Sequence, residues 1–172
     1  MTFLNDNILL SSIPKLEEVQ LRPINKEYKQ VLLIEWVISS LILLVIAIGC
    51  IVFIHALYNG IWKYIIPTVL LAGILFRYFL ITKSFRMMAY AIREKDLLYR
   101  NGWIIQKIRT CPFNRVQHSS VSSGPLERRY KLATLVLYTA GTDEADLHIP
   151  GLSVEEAGSL KEWINKKVIN EI

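Results

Sequence analysis

Residues 36–62 contain no Asp, Glu, Lys or Arg, and their centre reads VISSLILLVIAIGCIVFIHAL. A helix crosses the hydrocarbon core of a bilayer with roughly 20 apolar residues, so this run predicts a membrane span. A second run over residues 64–82, YIIPTVLLAGILFRYFLIT, is long enough to span as well. Its Arg77 is close enough to Lys83 to snorkel to the same interface, and Pro67 is expected in the first turns, where a missing N–H does least harm. The connecting YNGIWK is a short turn with interfacial aromatics, so the two spans are expected to form a hairpin.

Basic residues near the span ends set the orientation. Arg22, Lys26 and Lys29 precede the first run, Lys83, Arg86 and Arg93 follow the second, and Lys63 is alone in the turn between them. The positive-inside rule then puts both termini in the cytoplasm. Residues 1–35 precede the first run and no small-residue cleavage pattern follows it, so both spans are expected in the mature protein. Three regions result: an N-terminal cytoplasmic segment (1–33), a two-helix transmembrane hairpin (34–82) and a cytoplasmic domain (83–172).

Cys50 falls inside the first span and Cys111 in the cytoplasmic part, so both are expected as reduced thiols. Cys111, His118 and His148 lack paired ligand spacing such as CxxC or HxxxH, and neither metal nor cofactor is expected. Residues 83–172 carry fourteen Lys and Arg against ten Asp and Glu. A mildly basic domain tethered to a membrane suits an anionic inner leaflet. Nucleic acid is not an expected partner, because no basic helix, zinc finger or RNA-binding aromatic signature appears.

After Lys83 the pattern changes to short alternating runs. Phe85, Met87, Ala89 and Ala91 alternate with Arg86, Met88, Tyr90 and Ile92, which suggests a strand. Glu94-Lys95-Asp96 closes a hairpin, and Asn101-Gly102 is a cue for a two-residue type I′ turn. Further strands are expected over residues 114–121, over TLVLYT at 134–139, and over ADLHI, the last ended by Pro150-Gly151. Ser153-Val-Glu-Glu156 reads as a capping box, followed by Val154, Ala157, Leu160, Ile164 and Val168 at helical spacing. The fold class is therefore a transmembrane α-helical hairpin plus a mostly β, pleckstrin-homology (PH)-like barrel with one C-terminal helix. Residues 16–23 carry enough apolar side chains to pack on that domain or lie at the interface, whereas residues 1–12 are expected to be mobile.

PFNRVQHSSVSSGPLERRYKLATLVLYTAG, followed by IPGLSVEEAGSL, resembles the bacterial PH-like membrane-flanked domain of the YdbS-like family. The resemblance extends over both spans and the domain. It implies small two-span proteins with one PH-like domain, often accompanied by larger relatives with several copies, and it brings no catalytic residues. The family usually has glycine where this chain has Lys131. If that position needs positive φ, lysine there costs on the order of 1 kcal/mol.

The stretch GPLERRYKLATLVLYTAG then becomes a connection between strands. Leu126 and Tyr130 are the expected buried anchors of a helical turn, and Leu132, Leu135 and Leu137 enter the core. Arg128, Arg129 and Lys131 point outward, with Arg115 nearby as a further candidate for lipid or partner binding. These cations fit three readings: a solvated loop paired with Glu127 or with carbonyls, contacts to lipid phosphates, or contacts to another protein chain. Lys107-Ile108-Arg109 has the short spacing of an inositol-lipid motif but falls a strand too late.

Ser119, Ser120, Ser122 and Ser123 near His118 have no GxSxG elbow around them, and Asp143, Glu144 and Asp146 lack metal-loop spacing, so no enzyme is expected. Ser39, Ser40, Gly49, Ala72 and Gly73 suit close helix packing, within the hairpin or between copies. A subunit of a transporter or channel is the less favoured alternative. The favoured expectation is a membrane-anchored binding or scaffold subunit of a bacterial inner-membrane assembly. Its partners would be membrane lipids, further copies of itself or a larger PH-like membrane protein.

Overall fold

In the computed structural model, which describes residues 19–53, 60–139 and 147–170, the two apolar runs are α1 (Tyr28–Phe53) and α2 (Trp62–Met87). Their outer surfaces expose Leu41, Ile42, Val45, Val52, Val69, Leu71, Leu75 and Phe76, as helices solvated by lipid require. Polar contacts join them at one level. The Trp36 indole N–H donates to the Ile74 carbonyl at 3.2 Å, and the Arg77 guanidinium donates to Ser39 Oγ at 2.8 Å. Arg77 therefore reaches across to the neighbouring helix at this level. Pro67 lies more than one turn into α2, where it has no N–H for the Lys63 carbonyl, and the next residue, Thr68, donates its hydroxyl to Tyr64 O.

The strand expected from Phe85 begins four residues late. Helix α2 continues through Met87, Met88 turns the chain with its N–H on the Phe85 carbonyl, and β2 covers Ala89–Ile92. Phe85 and Met88 both pack against the domain core, so the helix end is itself part of that core. Arg22–Pro23 forms β1 and pairs antiparallel with β2, extending the sheet with residues that precede the first span. β3 (Asp96–Asn101) and β4 (Lys107–Pro112) complete a sheet of order β1-β2-β3-β4.

The Asn101-Gly102 cue is not a two-residue turn. Asn101 pairs with Lys107, so residues 102–106 form a longer loop, and of the two residues only Gly102 has positive φ (89°). A type I′ turn needs both.

A 3₁₀ turn (Phe113–Arg115) leads into β5 (Val116–Ser122), then α3 (Pro125–Arg129), β6 (Leu132–Thr139), β7 (Leu147–Ser153) and α4 (Val154–Asn170). β5, β6 and β7 form the second antiparallel sheet, in that order. Pro150-Gly151 does not end β7. Ala133 pairs with Leu152 and Leu135 with Ile149, so two residues of β7 bulge opposite Thr134. Proline is tolerated because β7 is an edge strand, and Gly151 takes φ of 70° within the bulge.

Leu97, Tyr99, Phe113, Leu135, Leu137, Ile149, Leu152 and Ile164 close one core between the sheets and α4. Ser119 Oγ donates to Asn165 Oδ1 at 2.8 Å and pins α4 to β5. Ser153 Oγ accepts the Glu156 N–H at 3.1 Å, the first half of the capping box, whereas the Glu156 carboxylate accepts the Tyr90 hydroxyl. Val154, expected on the packed face, is 50% exposed instead. Expectations for residues 1–12, 16–18, 58–59 and 140–146 lie outside the described residues.

Candidate functional site

Helix α3 is one turn long, and Glu127 organises it. The Glu127 carboxylate accepts the Gly124 N–H and the Thr134 hydroxyl, each at 2.8 Å. It is thereby committed to the loop's own backbone and to β6. Leu126 and Tyr130 are half-buried, less deep than expected, while Leu132, Leu135 and Leu137 are fully buried in β6. Lys131 has φ of 54°, the left-handed region that glycine occupies without strain. Its N–H bonds the Arg128 carbonyl and its own carbonyl accepts the Val154 N–H, so the strained residue joins α3 to the start of α4.

Arg128, Arg129 and Lys131 are all exposed and line an open cleft of about 760 Å³. The opposite walls are Asn25, Glu27 and Gln30 at the beginning of α1, and Ser153, Val154 and Glu155 at the beginning of α4. Among the described residues none of the three cations has an ion pair; the ion pair that does form is Arg93 with Asp96, at 2.5 Å, in the β2–β3 turn. The cleft thus combines three unneutralised cations with two carboxylates, Glu27 and Glu155. Arg115 is placed elsewhere, in a shallow hollow of about 320 Å³ with Arg109, Thr110, Cys111 and Leu147.

Residues 25–30 were not legible as cleft residues, because their neighbours lie about a hundred positions away in the chain. The seam that brings them there is short. Asn25 N–H donates to the Gly151 carbonyl at 3.0 Å, and the Tyr28 ring lies directly over Gly151.

Tyr90 and Tyr99, on β2 and β3, titrate away from the ordinary phenol range. Burial pushes the Tyr99 phenol up to about 12, with Arg109 across the strand pair opposing the shift. Burial also raises Tyr90, and its hydrogen bond to Glu156 adds to this. His118 stacks on Tyr138 with ring centroids 4.2 Å apart, a packing role on the β5–β6 surface. Among the described residues no three His, Cys, Asp or Glu side chains are grouped to hold a metal.

The family model described as Bacterial PH domain matches residues 29–168, which take in nearly all of α1, all of α2 and α3, strands β2 to β7 and most of α4. The chain belongs to the bacterial PH domain family. Within this family of bacterial PH domains it is 34% identical over 110 residues to the UPF0699 transmembrane protein YdbS of Bacillus subtilis (strain 168), covering 61% of this chain and 67% of that protein. It is 32% identical over 85 residues to the UPF0699 transmembrane protein YdbT of the same organism, covering 49% of this chain and 17% of that one. No solved structure gives a significant match. This bacterial PH domain chain is a membrane protein with two candidate spans, and both of these relatives carry "transmembrane protein" in their names.

Proposed function

We propose that this chain is a non-enzymatic, membrane-anchored scaffold subunit of a bacterial inner-membrane assembly, with both termini in the cytoplasm. Its PH-like domain binds a membrane protein partner at the cytoplasmic face, in the cleft between α1, α3 and α4. The observation that carries this reading is the mixed lining: Arg128, Arg129 and Lys131 have no ion pair among the described residues, and Glu27 and Glu155 share the same cleft. A polypeptide surface supplies charges of both signs, and such complementarity selects a partner and its register. Arginine is enriched at protein interfaces, where its planar fork pairs with carboxylates. Tethering to the membrane raises the effective concentration of any partner held there. The partner class this favours is a larger PH-like membrane protein, or further copies of this chain.

A second reading is favoured by the two adjacent guanidiniums beside the first turn of α1: the cleft takes the phosphate of an anionic lipid from the inner leaflet. Glu27 and Glu155 oppose a bare anion and make this the second choice. The test is native mass spectrometry of the full-length protein extracted from its own membrane in mild detergent, as wild type and as Arg128→Ala with Arg129→Ala. Both residues are exposed, so the variant is expected to keep its melting temperature. Loss of a co-purifying membrane protein from the variant supports the partner reading. Loss of anionic lipid alone supports the second reading, and an unchanged spectrum removes the cleft from both.

A further inference from the structure

The β3–β4 loop has the sequence Gly102-Trp-Ile-Ile-Gln106, and its apolar residues face outward: Ile104 is 68% exposed and Ile105 71% exposed. Three consecutive large apolar side chains at the tip of a hairpin do not contribute to the domain core. Nor is the loop a loose excursion. Gly102 has φ of 89°, and a β-carbon there would collide with the Ile105 carbonyl, so the backbone folds tightly on itself and holds the three side chains out.

The tip reaches the second helix of the hairpin. The Trp103 ring meets Phe79 of α2 edge-on, with centroids 5.4 Å apart and planes at 87°. Phe79 lies eight residues before the end of α2 at Met87, which is about 12 Å back along the helix at 1.5 Å per residue. The β3–β4 hairpin therefore runs alongside α2 toward the membrane. At that level the two spans carry an aromatic and polar belt: Trp36 packs on Tyr78 with centroids 5.3 Å apart, and Arg77 bonds Ser39. Trp and Tyr concentrate at the boundary between headgroups and acyl chains.

Cations lie next to the tip in the chain and in the structure. Lys83 Nζ sits over the Phe79 ring, 5.5 Å from its centroid, and exposed Lys107 and Arg109 follow the loop on β4. Apolar side chains at the extremity with Lys and Arg behind them is the distribution of a segment lying in a membrane interface.

We infer that the β3–β4 loop is a membrane-inserting element, in which Trp103, Ile104 and Ile105 enter the headgroup and acyl boundary of the same leaflet that α2 leaves. Lys83, Lys107 and Arg109 meet the lipid phosphates. The occupant of this exposed surface is the bilayer, because Trp103 makes it continuous with the lipid-facing side of α2. The inference uses none of the cleft residues and stands or falls separately from the proposed partner.

The experiment is site-directed spin labelling of the full-length protein in vesicles of phosphatidylcholine and phosphatidylglycerol. Labels are placed by Ile104→Cys, by Leu75→Cys on the exposed side of α2 and by Glu162→Cys on exposed α4, each with Cys50→Ala and Cys111→Ala. Relative accessibility to oxygen and to a water-soluble nickel chelate then reports depth. The label at 104 is expected to be rich in oxygen and shielded from the chelate, like the label at 75. Chelate access equal to that at 162 overturns the inference. Shielding that appears only as the protein-to-lipid ratio rises assigns the loop to a second copy and overturns it equally. A second measurement avoids the cysteine changes: with Trp36, Trp62 and Trp163 replaced by Phe, Trp103 fluorescence is quenched by lipids brominated near the carbonyl end of their chains. Unquenched emission counts against insertion.

Discussion

Replacing Gly151 by alanine tests the seam that joins α1 to the domain. The backbone there has φ of 70°, and an added β-carbon would lie 2.7 Å from Tyr28 Cγ and 2.8 Å from Tyr28 Cβ. The left-handed conformation costs an L-residue about 1–2 kcal/mol. Overpacking adds about 1–3 kcal/mol, because the obstructing atoms are the base of the tyrosine, fixed to the helix backbone, rather than a mobile end. The sum is about 2–5 kcal/mol, and a domain of this size loses about 4–8 °C of melting temperature per kcal/mol. Gly151→Ala should therefore lower the transition by about 8 °C or more, followed in detergent by the fluorescence of Trp163, which packs on Phe113 in the core. Gly158 in α4 is the internal control: nothing lies within 4 Å of its added β-carbon, and the residue is helical. Gly158→Ala should raise stability by about 0.5–1 kcal/mol. The same methyl group thus moves the transition in opposite directions at two glycines seven positions apart. A Gly151→Ala protein melting with the wild type would refute the reasoning, since Tyr28 and the bulge would then be free to yield.

Tyr90→Phe removes the donor from the half-buried Glu156 carboxylate, and the expected loss is about 1–2 kcal/mol in denaturant melts at neutral pH. Tyr99 titrates later in the folded protein than its ordinary value of 10.0, at about 12. The unfolded chain therefore releases this proton first as pH rises, and the stabilisation present below pH 10 is lost progressively between pH 10 and about 12. At about 1.4 kcal/mol per pH unit the loss reaches roughly 3 kcal/mol. Tyr99→Phe should lessen the slope of that part of the stability profile, to which the raised Tyr90 also contributes, and an unaltered alkaline slope would show that Tyr99 adds nothing to it.

The parts of this fold legible in the sequence are those set by local pattern. Continuous apolarity fixed α1 and α2 as helices, and the Ser153-led capping signal placed α4. Where a reading failed, a distant contact had overridden a local cue. Phe85-Arg-Met alternates like a strand, yet stays helical because Phe85 and Met88 are anchored in the core. Asn101-Gly102 offers a tight turn, but the register of β3 on β4 leaves residues 102–106 as the loop and takes Asn101 into the strand. Pro150-Gly151 looks like an end and is a bulge, because an edge strand tolerates proline and Tyr28 needs the space above the glycine. For the candidate site, the cluster Arg128, Arg129 and Lys131 stands out in the chain by its charge, whereas Asn25, Glu27 and Gln30 carry no local mark. Their membership depends on the chain returning to the same place after two long helices and four strands.

β1 and β2 lie side by side in one sheet, and they are the strands on either flank of the helical hairpin. Four residues, Ile24 to Glu27, separate β1 from α1, and Met88 alone separates α2 from β2. At no more than about 3.5 Å per residue, the second connection extends only about 3.5 Å even when straight. The domain thus has no tether on which to roam. It is carried like a head on two stiff necks, at one height and one tilt above the bilayer, so whatever enters the cleft must approach within the thin zone along the membrane that this rigid mounting leaves open.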